Sequence, residues 1–246
     1  MKKIRKLLRS IKPVRILYDE VLTLQKLVRR RVYVSPKVEI EVTNNFHKLY
    51  YDAHHFGRAW ANTFWFGVPT LKCPLDMWMY QEIIYDLKPD VIIECGTAHG
   101  GSALFLASIS HLLGHGKVIT IDIEDREGRP EHERISYVRG SSTSEEIVEK
   151  VRSFITDEDE VMVILDSDHT REHVLNELRM YSSFVTKGSY LIVEDSNLNG
   201  HPVVPEFGPG PMEAIEEFLK ENKDFIVDRD KEHNYLTFNP RAFFVR

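Results

Sequence analysis

A chain of 246 residues with 42% hydrophobic side chains is long enough to bury the core of one full domain. Its net charge of −6 is unevenly distributed, because residues 1–31 carry eleven Lys and Arg against two acids and the rest therefore carries −15. An acidic body argues against nucleic acid as the main partner, since phosphate binding needs a basic face. The two cysteines, Cys73 and Cys95, match no zinc or redox spacing, which favours reduced thiols in the cytoplasm.

The first 35 residues are predicted to form a basic amphipathic helical arm, and residues 36–246 a single domain. Apolar side chains recur at helical spacing among the basic ones, at Ile4, Leu7, Leu8, Ile11, Val21, Leu24, Leu27 and Val28. Pro13 should divide the arm into two helices. The chain shows neither a signal-peptide pattern nor an apolar run of transmembrane length, so we expect a cytoplasmic protein. The arm suits either an anionic membrane surface or packing against its own domain or a sister subunit.

From about residue 75 onward, short aliphatic runs alternate with helix-like segments. The runs are residues 90–96, 117–123, 135–140, 161–167 and 189–196, and the helical segments are residues 101–114, 143–155, 171–185 and 211–222. Near-continuously apolar strands that alternate with helices predict an α/β fold, with a mostly parallel central sheet covered by helices on both faces. The tail "NYLTFNPRAFFVR" predicts a late strand, which could form a hairpin with "DFIVDRD".

The stretch "IIECGTAHGGSA" predicts a strand, a glycine-rich turn and a helix, which is where open α/β sheets bind ligands. Its glycines do not follow the dinucleotide spacing G-x-G-x-x-G, and an acid followed by G-x-x-x-G is typical of S-adenosylmethionine-dependent methyltransferases. The candidate cofactor contacts in this stretch are Glu94, Gly96, Thr97, Gly100, Gly101 and Ser102. The alternative is that the glycines only form a tight packing turn.

Two further segments fit a nucleoside. Asp122 ends the next predicted strand, where an acid can accept hydrogen bonds from both ribose hydroxyls. NAD enzymes use the same device, and the alternative is that Asp122 caps a helix. Ser141 and Ser142 follow the third predicted strand and are expected near the adenine edge. Taken together with the glycine turn, these residues favour a nucleoside pocket.

Acidic residues follow two neighbouring predicted strands. Asp166 comes directly after "VMVIL", and Glu194 and Asp195 come after "SYLIV". Three carboxylates at one sheet edge repel one another unless a cation offsets them, and oxygen ligands without thiolate favour Mg²⁺, or Mn²⁺ or Ca²⁺. We therefore predict these three residues as metal ligands, with Asp166 also in the catalytic set. His169 is the candidate base, the alternative being that it caps or packs the helix that it precedes.

Three segments resemble the cephalosporin hydroxylase and rhamnosyl O-methyltransferase family: "FGVPTLKCPLDMWMYQEIIYDLKPDVIIECGTAHGGSALF", "LDSDHTREHVLNEL" and "YLIVEDSNLNG". The resemblance implies a Rossmann-like class I methyltransferase fold, S-adenosylmethionine as cofactor and a divalent metal at Asp166, Glu194 and Asp195. The acids also resemble those of catechol O-methyltransferase, in which a lysine stands where this chain has His169. An iron oxygenase is not expected, because no pairing of two histidines with a carboxylate is visible.

The sequence thus predicts a divalent-metal-dependent O-methyltransferase that acts on a hydroxyl of a sugar or glycoconjugate. The basic arm and the rhamnosyl members of the family favour a glycan over a catechol. A homo-oligomer is expected, with a small-molecule or glycan acceptor and no nucleic-acid partner. The alternatives are an NAD(P)-dependent oxidoreductase and a non-catalytic subunit of an antibiotic or glycan modification complex.

Overall fold

The computed structural model describes residues 20–28 and 34–246, which belong to two compact units, residues 1–46 and 47–246. In the first unit, residues 20–28 are helical, and helix α1 (Pro36–Tyr51) begins there and ends in the second. The predicted helix at the start of the arm and its division at Pro13 lie outside the described residues. Within the described ranges, no helix has both the length and the apolar character that spanning a membrane requires.

Seven strands of the second unit form one sheet: β3 (Val91–Cys95), β4 (Lys117–Asp122), β5 (Ile135–Arg139), β6 (Val161–Leu165), β7 (Tyr190–Val193), β8 (Ile226–Val227) and β9 (Phe243–Val245). Their order across the sheet is β5-β4-β3-β6-β7-β9-β8. The helices after α1 are α2 (Pro74–Leu87), α3 (Gly101–Leu113), α4 (Glu145–Arg152), α5 (Arg171–Tyr181) and α6 (Pro211–Glu221). A separate hairpin pairs β1 (Phe64–Trp65) with β2 (Val68–Pro69).

The central strands are parallel, and helices connect β3 to β4, β5 to β6 and β6 to β7. These strands are mostly apolar because both faces of the sheet are covered. Side chains of β3 alternate between two cores, with Ile93 packed in the one that includes α4, α5 and α6, and Ile92 in the one that includes α2 and α3. The predicted α/β fold, with a mostly parallel sheet and helices on both faces, is confirmed. The predicted late strand is β9, which pairs antiparallel with both β7 and β8.

The register of the parallel strands determines where the functional side chains lie. Cys95 at the end of β3 pairs with Leu165 at the end of β6, which in turn pairs with Val193 at the end of β7. Gly96, the acids after β6 and the acids after β7 therefore leave the sheet at one level, on its carboxyl edge.

Candidate active site

A cavity of about 750 Å³ lies at the carboxyl edge of the sheet. Of the predicted site residues, those that line it are Gly96, Thr97, Ser102, Asp122, Ser141, Ser142, Asp166, His169 and Asp195. Glu94, Gly100, Gly101 and Glu194 are not among its lining residues. The segment before β1, in which we predicted no site residue, contributes Tyr51, Arg58 and Trp60. The cavity therefore joins the glycine turn, the ends of β4 and β5 and the acid cluster.

The turn after β3 requires glycine for two different reasons. Gly96 has a φ of 100°, and a Cβ there would lie 1.8 Å from the backbone oxygen of Asp166. At Gly101, the first residue of α3, a Cβ would lie 2.1 Å from the backbone oxygen of Pro69. Gly96 lets the turn approach the end of β6, whereas Gly101 lets α3 pack against β2.

Glu94 lies beneath this turn and is fully buried. Its carboxylate accepts hydrogen bonds from Ser102 Oγ and, at 2.6 Å, from Thr120 Oγ1. Burial raises the pKa of Glu94, and the ammonium of Lys72 opposes this rise. The carboxylate thus ties β3 to β4 and to the start of α3 and supports the cavity wall from behind.

Asp122 borders the cavity at the end of β4 and also holds the loops on either side. Its Oδ2 accepts from the backbone N–H of Ala98 at 2.8 Å, and its Oδ1 accepts from that of Glu124 at 2.9 Å. Arg129 Nη2 lies 3.1 Å from Oδ2. The carboxylate is therefore fixed in orientation, with its remaining lone pairs available to a ligand in the cavity.

Asp166, His169 and Asp195 form a cluster that opens into the cavity, with one potential ligand atom from each within 4.8 Å of the others. His169 Nε2 lies 3.1 Å from Asp195 Oδ2. Burial lowers the pKa of His169, but the nearby carboxylates, Asp195 first, outweigh it and raise that pKa. Burial raises the pKa of both Asp166 and Asp195. An acidic, partly enclosed cluster of this kind has the charge and the donors to bind a cation.

Glu194, the third predicted metal ligand, lies deeper than this cluster and is paired with Lys72. The side chains of Lys72 and Glu194 are only 2% and 4% exposed, and the ammonium donates to Glu194 Oε1 and, at 2.6 Å, to Asp166 Oδ2. Burial and the repulsion of Asp166 raise the pKa of Glu194 to about 7, although Lys72 opposes them. The neighbouring carboxylates raise the pKa of Lys72 against the opposing effect of its burial. Asp195 lines the cavity and its neighbour Glu194 does not. The backbone turns at Asp195, which has a φ of 56°.

Lys72 is the charged partner of the acids that the sequence analysis missed. It belongs to the segment "LKCP" before α2, and its partners Asp166 and Glu194 stand 94 and 122 residues further along the chain. The sequence offers one weak indication, which is that this lysine stands among apolar residues of a segment that would otherwise be expected to be buried.

Comparison with known proteins gives one consistent result. The family model for rhamnosyl O-methyltransferase/CmcI matches residues 57–246. A rhamnosyl O-methyltransferase of Mycobacterium leprae (strain TN) is 39% identical over 212 residues, which cover 83% of this chain and 90% of that protein.

Two solved structures share the fold. A CmcI structure with Mg and SAM superposes with a TM-score of 0.58 at 20% identity, covering 78% of this chain and 79% of that one. The methyltransferase MycE in complex with Mg, SAH and mycinamycin VI has a TM-score of 0.51 at 17% identity, covering 68% of this chain and 48% of that one. Because its match spans most of the chain, the protein belongs to the rhamnosyl O-methyltransferase/CmcI family.

Proposed function

We propose that the protein is a divalent-metal-dependent O-methyltransferase that transfers the methyl group of S-adenosylmethionine to a hydroxyl of a sugar or glycoconjugate. The observation that carries the proposal is that one cavity holds both the glycine turn with Asp122 and the cluster of Asp166, His169 and Asp195. The curated relatives named rhamnosyl O-methyltransferases support a sugar acceptor. Membership of their family disfavours the oxidoreductase and the non-catalytic subunit.

The acid cluster fits a divalent cation by its charge and its donors. Lys72 supplies one ammonium against the carboxylates of Asp166, Glu194 and Asp195, so the cluster retains an excess of negative charge. The solved CmcI and MycE complexes contain Mg. We propose Asp166 and Asp195 as ligands that face the cavity, and Glu194 as the inner ligand that shares Lys72 with Asp166. When bound, the cation would lower the pKa of the acceptor hydroxyl and hold its oxygen.

The remaining chemistry belongs to the side chains of the chain itself. We propose that Asp122 binds the ribose hydroxyls, that Gly96 and Thr97 approach the methionine part of the cofactor, and that Ser141 and Ser142 border its base. In its neutral form, with Nε2–H donated to Asp195, His169 can accept the hydroxyl proton at Nδ1. Orientation of the two reactants in one enclosed cavity supplies much of the rate enhancement of such a transfer.

Calorimetric titration of S-adenosylhomocysteine tests the cofactor pocket. We expect micromolar binding by the wild-type protein and at least about tenfold weaker binding by Asp122→Ala, because the ribose loses its acceptor. Asp125→Ala is the matched control, since this aspartate is exposed and outside the cavity. The same titration in Mg²⁺ and in EDTA, followed by transfer of labelled methyl groups to a panel of glycosides and phenols, tests the metal and the acceptor. Failure of the wild-type protein to bind S-adenosylhomocysteine in both Mg²⁺ and EDTA would contradict the proposal.

We also propose that the protein acts in the cytoplasm, with an arm at residues 1–35 that contacts an anionic membrane surface and a catalytic domain at residues 36–246. The eleven Lys and Arg of residues 1–31 support this role, since each basic residue near an anionic surface contributes about 1 kcal/mol. In a flotation assay at low salt, the full-length protein should float with anionic vesicles, and it should not float with zwitterionic vesicles. If flotation did not depend on the charge of the vesicles, the arm would instead be expected to pack against its own domain or a sister subunit.

A homo-oligomer is the further proposal about partners. Val38, Val42 and Leu49 share one face of α1 at spacings of four and seven residues, and all three are exposed. A second copy of the chain could cover this apolar face.

A further inference from the structure

A network of polar side chains connects the wall of the cavity to one buried carboxylate. Ser142, after β5, and Ser167, after β6, both line the cavity, as does His173 in the first turn of α5. His173 Nε2 lies 3.0 Å from Ser167 Oγ and 3.2 Å from Ser142 Oγ. Glu177 lies one turn further along α5, fully buried behind these three residues.

Glu177 can only accept hydrogen bonds, and this fixes the direction of the network. Ser167 Oγ donates to Glu177 Oε1 at 2.7 Å, and His173 Nε2 lies 3.4 Å from the same oxygen. An unprotonated Nε2 would face the carboxylate oxygen with a lone pair, so Nε2 carries a proton and donates it. The hydrogen bond to Glu177 also raises the pKa of His173. The second oxygen of Glu177 is buried and has no hydrogen-bond partner among the described residues.

The directions of these hydrogen bonds determine whether each serine hydroxyl offers the cavity a donor or an acceptor. The proton of Ser167 is committed to Glu177, so Ser167 offers a lone pair and acts as an acceptor. His173 has a single Nε2 proton, and Ser142 Oγ is one of the oxygens that can accept it, so the proton of Ser142 is free to be donated. The Tyr181 hydroxyl donates to the Ser142 backbone oxygen at 2.9 Å and fixes that residue in place. The wall therefore presents a donor beside an acceptor.

We propose that Glu177 and His173 are positioning residues that make the cofactor site specific for a nucleobase with an amino group next to a ring nitrogen. Adenine has this pattern, because its N6 amino group donates and its neighbouring ring nitrogen accepts. Hypoxanthine has a carbonyl oxygen in place of the amino group, so it meets the acceptor of Ser167 with another acceptor. The inference rests on the proposed function, in which the ligand of this cavity is S-adenosylmethionine.

The test compares two ligands that differ only in the base, S-adenosylhomocysteine and S-inosylhomocysteine, by calorimetric titration in Mg²⁺. We expect the wild-type protein to prefer the adenosyl ligand by at least about tenfold. In Glu177→Gln the amide can donate as well as accept, so Ser167 can reverse its hydrogen bond, and the preference should fall below about threefold. Glu172→Gln, an exposed acid on the same helix, should keep the wild-type preference.

A second variant covers the case in which Glu177→Gln does not fold. Ser167→Ala removes the acceptor itself and should weaken binding of the adenosyl ligand while leaving the inosyl ligand nearly unaffected. A role limited to packing would lower thermal stability without changing the ratio of the two affinities. Equal binding of both ligands by the wild-type protein, or an unchanged ratio in the variants, would overturn this inference alone. Failure of the wild-type protein to bind either ligand would overturn the proposed function with it.

Discussion

At the scale of single residues, Lys72 controls the charge balance beneath the acid cluster. Its ammonium is buried between Asp166 and Glu194, where little water can screen the two carboxylates from each other. Replacing it with methionine keeps the volume and removes the charge. We expect Lys72→Met to lower the free energy of unfolding by about 3 kcal/mol, because breaking a buried ion pair leaves an uncompensated charge. Urea denaturation in EDTA measures the change.

Magnesium separates this effect from a simple loss of packing. If the acids bind a divalent cation, Mg²⁺ should restore part of the stability of Lys72→Met, because the ion supplies the missing positive charge. Lys220→Met is the matched control, since Lys220 is exposed on α6, and it should unfold as the wild type does in both conditions. Equal stability of Lys72→Met and the wild-type protein in EDTA would show that the two acids need no counter-charge.

The residues that could be predicted are those that the sheet itself positions. Asp166, Glu194 and Asp195 follow aliphatic runs, and parallel strands end at one edge, so their proximity could be inferred from the sequence. Lys72 and Glu177 carry no such signal. Lys72 comes from a segment outside the sheet, and Glu177 is one acid on a helix that has charged residues on its exposed face. Which acid of a helix is buried depends on packing that spacing alone does not determine.

At the scale of elements, the turn between β3 and α3 depends on close approach to the end of β6. Gly96→Ala would place a methyl group 1.8 Å from the Asp166 backbone oxygen in a left-handed conformation. We expect a loss of more than about 3 kcal/mol in unfolding free energy, because two backbone segments must separate. Gly188→Ala is the control, since Gly188 has a similar φ of 92° and nothing within 4 Å. It should lose only about 1 kcal/mol from backbone strain, and equal losses would exclude the close approach as the cause.

Within the second unit, the buried His47 of α1 introduces a dependence of stability on pH. His47 is 4% exposed, stacks on Phe238 and lies 3.0 Å from Asn197 Nδ2, which can donate to the neutral ring. Burial lowers its pKa to about 4 from 6.5. The unfolded chain therefore binds a proton that the folded chain does not between these values, and stability falls as the pH falls through that window.

The His47 contribution can be isolated by removing its titration. Between about pH 7.5 and about pH 5 it should cost the wild-type protein about 2 kcal/mol of unfolding free energy. His47→Gln keeps an acceptor for Asn197 but does not titrate, so its pH profile should be flatter by that amount. His111→Gln, at an exposed histidine, should retain the wild-type slope in urea denaturation at both pH values. Identical slopes in all three proteins would mean that His47 is hydrated when the protein is folded.

The elements that could be predicted are those with a long periodic signal. The five aliphatic runs contain β3 to β7, and the tail contains β9. The hairpin of β1 and β2 was not predicted, because each strand has only two residues and "FWFGVP" shows no measurable alternation. Tertiary packing creates it instead, since Trp65 packs edge-on against Phe105 and donates from Nε1 to Ser108 Oγ at 3.1 Å.

At the scale of the whole molecule, charge and a mostly parallel sheet could be predicted, and the contacts of the arm could not. Charge depends on composition alone, and parallel strands follow from the alternation of strands with helices, whereas the order of the strands across the sheet was not predicted. The arm, residues 1–35, has apolar side chains at helical spacing but no partner that the sequence identifies. Assembly is therefore argued from the exposed residues of α1, which follows the arm.

The assembly prediction concerns the apolar face of α1 formed by Val38, Val42 and Leu49. These residues are 46%, 61% and 60% exposed, whereas His47, on the opposite side of the helix, is buried. Removing apolar side chains of this size from water is worth about 1.5–3 kcal/mol each, so several copies of the face could hold subunits together. We expect the wild-type protein to sediment as a homo-oligomer.

Charge placed on this face should dissociate the assembly. Val42→Glu with Leu49→Glu should sediment as a monomer and keep the far-ultraviolet circular dichroism of the wild type, because both positions are exposed within the subunit. The control variant Lys48→Glu introduces a glutamate on α1 beside this face, and we expect that variant to remain assembled. A wild-type protein that sediments as a monomer, or a double variant that stays assembled, would contradict this prediction. The exposed face of α1 would then have a different partner, such as an anionic membrane surface.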